Sequence, residues 1–247
     1  MVDSLTDRTR VRRLSDKASY ERSALDQLLD EALVAHVGIV DADQPFVLPM
    51  GCARRGDDLI LHGSSGSRLM RRLADGAAAC ATVTVLDGLV YARSAFESSM
   101  NYRSALILGC ARELHGDDEL DALRRLSDHL LPGRWDDIRP PTTKERAATI
   151  TVALPLEEWS MKVSTGAPED DPDDLDTEPW RSIWAGHVPV HLARSNPIAD
   201  DHVPTGVAAP SYLTHHRVWR FCKVLGYNLL TRRYCKSLRD NRGSCIV

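Results

Sequence analysis

The sequence predicts a mainly β protein with helices, of the α+β class and antiparallel, and three observations carry that expectation. Apolar, β-branched runs follow one another closely over 33–40, 46–53, 59–63, 78–86 and 89–95, separated by turn-forming tracts. Links this short cannot join parallel neighbours, which need a crossover of about a dozen residues. A single short helical pattern, 67–75, interrupts the series, so the strands must form a meander rather than alternate with helices.

The elements follow in order. Residues 1–18 are rich in Arg, Asp, Ser and Thr without periodicity and read as a mobile arm or an extension lying on the surface. Over 20–32 the apolar positions Ala24, Leu25, Leu28, Leu29 and Ala32 recur at helical spacing, giving an amphipathic helix that packs on a sheet. Asp87-Gly88, between two apolar runs, is a two-residue hairpin signal. A strand over 104–114 precedes a helix over 118–130 that opens on acidic residues and carries Leu120, Leu123, Leu126 and Leu130 on one stripe. After Pro132-Gly133, Trp135 and Pro140-Pro141 come further strands over 147–154 and 158–163, and some seven antiparallel strands suggest a barrel. Residues 19–166 thus form the folded domain. Residues 167–178, almost all Asp, Glu and Pro, read as a solvated tether. It leads to a docking segment with Trp180, Ile183 and Trp184 that ends at 190. Residues 191–247 read as a C-terminal extension, basic and aromatic after Arg217, poorly ordered unless it docks on the barrel or on an anionic surface.

Composition narrows the function. A chain of 247 residues with 43% hydrophobic content is one large or two small globular domains, and a net charge of -4 gives no electrostatic reason to expect nucleic acid. The six cysteines form no CxxC pair, and the adjacent His215 and His216 point apart, so no metal site is expected. With neither a signal peptide nor a membrane-length apolar run in view, a cytoplasmic protein with reduced thiols is the expectation. The G-x-S-x-G elbow, the Walker loop and H-E-x-x-H are absent, which removes the hydrolase, NTPase and zinc-protease readings.

The informative stretch is Leu59-Ile60-Leu61-His62-Gly63-Ser64-Ser65-Gly66-Ser67-Arg68, an apolar strand running through small residues into a helix. Gly63 and Gly66 permit close backbone approach, the serines offer hydroxyl and cap groups, and Arg68 offers charged donors at a helix start: a phosphate cradle. An ordinary serine-capped strand-to-helix turn explains the same residues. His62 reads equally as a ligand to phosphate or substrate and as a structural donor. Arg103 reads as an anion or partner-chain contact or as a salt bridge, and Tyr102 as a ring-stacking or a packing residue. Lys162 reads as a solvated strand-end lysine.

Taken together, Phe46-Val47-Leu48-Pro49-Met50, Leu61-His62-Gly63-Ser64, Met100-Asn101-Tyr102-Arg103-Ser104, Leu131-Pro132-Gly133-Arg134-Trp135, Leu154-Pro155-Leu156-Glu157-Glu158 and Trp184-Ala185-Gly186 resemble the flavin-binding split-barrel superfamily typified by pyridoxamine 5'-phosphate oxidase. Nearest is its nitroimidazole-resistance reductase-like branch. The resemblance spans roughly 20–190. It implies a six-stranded antiparallel split barrel with flanking helices that forms a homodimer, with two identical FMN sites at the subunit interface. The ring would lie along Leu48, Pro49 and Met50, and the phosphate and ribityl chain would meet His62, Gly63, Ser64, Ser67 and Arg68. Asn101, Tyr102, Arg103, Ser104 and Trp184 would line the pocket from the neighbouring subunit. The implied activity is an FMN-dependent oxidoreductase passing hydride or electrons between flavin and a small organic substrate, with NADH or NADPH a possible donor. No residue is singled out as catalytic. The sequence carries fewer basic residues around the phosphate than pyridoxamine 5'-phosphate oxidase, which argues against that enzyme's own activity. The alternative is a non-catalytic module on the same barrel that holds or sequesters a flavin, deazaflavin or haem.

Overall fold

The structure, a computed structural model, describes residues 6–214. They divide into a compact unit ending at Leu192 and a second unit beginning at Ala193, whose described part is extended and exposed up to a short helix, Ser211–Thr214. The part of the C-terminal extension that holds His215, His216 and the basic aromatic tail after Arg217 lies outside the described residues.

The first unit is built on one antiparallel sheet. In chain order its elements are β1 (Ala18–Ser19), α1 (Arg22–Glu31), β2 (Val34–Asp41), β3 (Gln44–Arg55), β4 (Asp58–Ser64), α2 (Arg68–Ala74), β5 (Ala78–Tyr91), β6 (Ser99–Cys110), β7 (Arg112–Glu113), α3 (Gly116–Leu130), α4 (Thr143–Ala147), β8 (Thr149–Pro155), β9 (Glu158–Ser164), α5 (Pro172–Asp176) and β10 (Gly186–Pro189). The strand order is β1-β9-β6-β5-β2-β3-β4-β8-β7, with β10 added to β5. The long strands at the two ends of that path, β9 and β8, are joined by Leu156 and Glu157 alone, so the sheet has to curl back on itself. This is the α+β split barrel expected, with seven long strands rather than six. The split is visible in β3, whose residues from Gln44 to Gly51 pair with β2 while Cys52 to Arg55 pair with β4.

Two apolar layers hold the barrel. Inside it, Leu25, Leu28 and Leu29 of α1 and Leu69, Met70 and Leu73 of α2 are buried against Leu59, Leu61, Ile107, Val152, Leu154 and Met161. Outside β4 and β8, Ile60, Ala53 and Ala153 pack against Ala122 and Leu126 of α3. Hence Leu59-Ile60-Leu61 is an unbroken apolar run: both faces of β4 are covered. The buried His129, near the end of α3, places Nε2 2.7 Å from the Ala32 carbonyl, which can only accept, so the ring nitrogen donates and ties α3 to the end of α1.

One expectation differs from what is found. Asp87-Gly88 makes no hairpin: β5 runs through it as one strand with a bulge between Leu86 and Gly88, and residues 92–98 provide the reversal into β6. The aspartate is occupied on both ends, its carboxylate by Arg103 and its carbonyl by the Val190 amide (3.0 Å). Residues 6–19 lie along β9, the surface-lying one of the two arrangements the sequence allows. Arg8 pairs with Glu158 at 2.5 Å, Lys162 donates to the Arg13 carbonyl (3.1 Å), and Ala18 and Ser19 pair with Lys162 and Met161. β9 would otherwise present an unpaired edge, and the segment covers it. The acidic tether is pinned at Asp170, whose side chain is 4% exposed and accepts from the Arg93 amide and guanidinium, both at 2.6 Å.

Candidate functional site

The turn after β4 is shaped by its own hydroxyls. Ser64 Oγ accepts from the Gly66 amide (3.1 Å), Ser67 Oγ caps α2 by accepting from Met70 (3.4 Å), and the Ser65 amide donates to the Ala148 carbonyl (2.9 Å). Gly63 is bare for a packing reason, since a Cβ there would sit 2.8 Å from Met70 Cγ. The serine-capped turn therefore accounts for Ser64, Ser67 and Gly63, and the residues it does not bond internally are Arg68 and His62.

Arg68 stands at the mouth of the turn, 57% exposed, its guanidinium 4.3 Å above the Phe46 ring and Nη1 3.2 Å from Asp41. Arg72 reaches the same carboxylate at 3.8 Å. Two guanidinium groups share one carboxylate, and Arg71 is exposed beside them, so this end of the barrel keeps a positive surplus. Next to it runs an uncovered apolar strand: Val47 and Leu48 of β3 are exposed, as is Pro49. Met50 is half-buried at the barrel mouth, 3.8 Å from the Cβ position of Gly63. An apolar strip ending in surplus positive charge suits a flat apolar ring with an anionic tail.

His62, half-buried on β4, makes no hydrogen bond, and its buried Nδ1 is without a partner. Burial pushes its pKa below the ordinary value of 6.5, so the ring is neutral at physiological pH. Across the ladder from it lies Thr151, 1% exposed, whose Oγ1 also lacks a partner.

The other predicted residues gather elsewhere. Asn101, Tyr102, Arg103 and Ser104 pair with β5 between Thr84 and Gly88, whereas β2, the neighbour of Leu48 to Met50, pairs with β5 between Ala79 and Thr82. Ala81 and Gly88 are on the order of 20 Å apart along a strand. Arg103 is fully engaged, bonded to both Asp87 oxygens (2.9 and 2.7 Å) and to Glu31 (2.7 Å); the Asp87 bond first, and that to Glu31, raise its pKa against the effect of burial. Asn101 donates to the Gly166 carbonyl (2.9 Å), and Ser104 bonds Thr84 (3.2 Å). Trp184 is 67% exposed and tilts against Tyr91 with ring centroids 6.1 Å apart, beside β10. Within one chain the cradle and this aromatic wall are separate groups. Among the described residues no group of three or more metal-ligating side chains converges.

The pyridoxamine 5'-phosphate oxidase family model matches residues 21–163, over half of the chain. The chain belongs to that family. Two solved structures are similar over nearly their whole length. One is the FAD and heme binding protein from Mycobacterium smegmatis, with 40% identity over 80% of this chain and 96% of that one, TM-score 0.76. The other is the flavocytochrome Anf3 from Azotobacter vinelandii, with 37% identity over 86% and 97%, TM-score 0.79. No curated protein matches. This member of the family thus carries the flavin-binding split barrel, with Phe46, Asp41 and Arg72 supporting Arg68. Sequence reading missed the part played by Asp41 and Phe46. The signal was present in the Asp41-Ala42-Asp43 turn, where Ala42 and Asp43 take positive φ and β2 reverses tightly into β3, bringing Asp41 and Phe46 to one end.

Proposed function

We propose that this protein is a flavin-dependent oxidoreductase acting as a homodimer, each flavin lying between the β3 strip and turn of one subunit and the Trp184 wall of the other. The observation that carries the proposal is exposed Leu48, on the same face of β3 as Phe46 and Met50, beside the surplus charge at Arg68, Arg71 and Arg72, with Arg68 seated over the Phe46 ring. The flavin, bound as FMN or as the FMN half of FAD, supplies the hydride or electron chemistry for a small organic substrate. The chain's residues bind and orient it. Arg68 meets the phosphate charge, held in place by Phe46; β3 offers a flat apolar floor; and partner residues 101–104 with Trp184 exclude water. The known binding of FAD and haem by the Mycobacterium smegmatis relative supports a cofactor at this barrel.

Absorbance of the purified full-length protein tests this directly. Flavin bands, present on purification or after adding flavin and desalting, are expected; their absence in both cases overturns the proposal. Arg68→Ala should weaken flavin binding by roughly 10- to 100-fold, the magnitude of one charge-assisted hydrogen bond to a phosphate. Anaerobic bleaching by NADH or NADPH separates turnover from mere holding.

One observation favours a second reading, a haem-holding module on the same barrel. His62 is neutral and unpartnered, the state in which imidazole binds iron. A Soret band after haem addition that His62→Ala abolishes, with no flavin uptake, would establish it instead.

A further inference from the structure

Trp184 is 67% exposed, yet its ring is held from several sides. The indole folds back over Gly186, where a Cβ would stand 3.0 Å from Cζ2 and 3.2 Å from Cη2, and it leans on the tilted Tyr91 ring. Gly186 is bare because the indole occupies the place of a side chain. Tyr91 and Gly186 form the last pair of the ladder between β5 and β10, and two residues beyond that pair stand Arg93 on one side and Trp184 on the other.

The segment that carries Trp184, residues 166–190, is stitched to β5 and β6 along its length. At its start the buried Asn101 side chain donates to the Gly166 carbonyl (2.9 Å), and Gly166 itself has φ +111°, a conformation that favours glycine. Further along, Asp170 accepts from both the amide and the guanidinium of Arg93, and at the end the Val190 amide donates to the Asp87 carbonyl (3.0 Å). The pair of Asp170 and Arg93 is desolvated, and Arg93 Nε is buried with no partner. Such a pair adds little net stability over apolar packing, but one carboxylate that grips both the backbone and the side chain of Arg93 fixes the two segments relative to each other. Holding a large aromatic side chain in one pose costs rotamer freedom, and an exposed one gains little burial within its own chain in return. Rigid, exposed aromatic groups serve as anchors for binding.

We propose that Gly186, Arg93 and Asp170 are positioning residues that hold the Trp184 indole in a single pose, set in advance for the flavin of the other subunit. Gly186 seats the ring, and the pair of Arg93 and Asp170 anchors the segment that leads to it. They act through Trp184 rather than on the flavin itself. The ordering cost of the wall is then met when the chain folds and not when the flavin binds, so these residues act on flavin affinity. This assignment rests on the flavin reading above.

The test is a fluorescence titration of the full-length protein with flavin, beside the near-ultraviolet circular dichroism of the flavin-free form, which reports the pose of Trp184, and the urea midpoint, which reports folding. Trp184→Ala should weaken flavin binding roughly tenfold, the scale of a lost aromatic anchor. Gly186→Ala drives a methyl group into the indole and should weaken binding by roughly three- to tenfold. Asp170→Asn keeps an acceptor for the Arg93 amide and loses the charge that holds its guanidinium, so it should act in the same direction more weakly. Both should diminish the dichroism that Trp184 contributes. In a Trp184→Ala background each should change the affinity less than about twofold, since nothing is left to position, whereas a general structural defect would persist there. Wild-type affinity in Trp184→Ala, wild-type affinity in both Gly186→Ala and Asp170→Asn, or equal losses with and without Trp184 would overturn the positioning role and leave flavin binding standing. A wild type that takes up no flavin overturns the flavin reading and this one with it.

Discussion

His62 shows how a single side chain links burial to pH. Its folded pKa lies below the ordinary 6.5 because burial opposes the charged ring. The unfolded chain therefore takes up a proton before the folded one does, and folding stability, fully present above about pH 6.5, declines as pH falls below it toward the folded value. Urea unfolding at pH 7.5 and pH 5.5 should show that loss in the wild type and a smaller one in His62→Gln; an unchanged difference would assign the effect to other groups. Gly63 makes a second case. Because a Cβ there meets Met70 Cγ at 2.8 Å rather than open space, Gly63→Ala should destabilise the fold by about 1–3 kcal/mol through overpacking, measurable as a drop in the urea midpoint without a ligand present. The sequence marked both residues but not these reasons. Glycine spacing suggests a close approach without saying to what, and whether a histidine finds a partner depends on strands far away in the chain.

Most elements were legible. The helix over 20–32 appears as α1, the strand stretch around 59–63 as β4, and the acidic-started helix as α3, because each has a periodicity that local chemistry enforces. Asp87-Gly88 was misread because turn propensity is a weak preference, which the long-range cluster of Asp87, Arg103 and Glu31 outweighs. The cluster fixes the bulge that leads β5 on to β10, where Gly88 lies 3.0 Å, at its Cβ position, from the Val188 carbonyl. Arg103→Met leaves two partly buried carboxylates facing each other without their cation. It should cost about 1–3 kcal/mol of stability, and if Trp184 closes the flavin site it should also loosen the wall that β10 carries. Thermal unfolding of Arg103→Met, Asp87→Asn and the double variant reads the coupling: effects that simply add would show that the two side chains do not act as one unit.

A β-sheet face must be covered or polar, and one face of this sheet is neither. Val34 and Val40 of β2 and Val47 of β3 are 45%, 60% and 57% exposed, and beside them a groove of 380 Å³ is lined by Gly38, Val47, Cys80 and Leu108. Strand alternation puts these residues opposite the barrel interior. Patches of this kind mark association sites, and a second copy of the chain is the partner proposed above. The same step would explain why the two halves of the candidate site lie apart on one chain: the strip at Leu48 adjoins this face, and the Trp184 wall comes from the other subunit. Assembly and cofactor binding are then coupled. Val47→Glu places a charge at the centre of the face without touching Arg68, so it should convert a dimer to a monomer in sedimentation velocity and reduce flavin affinity at low protein concentration. Raising the protein concentration should restore part of that affinity by mass action. A monomeric wild type, or a monomeric variant that binds flavin as tightly as before at every concentration, would show that one chain suffices for the site.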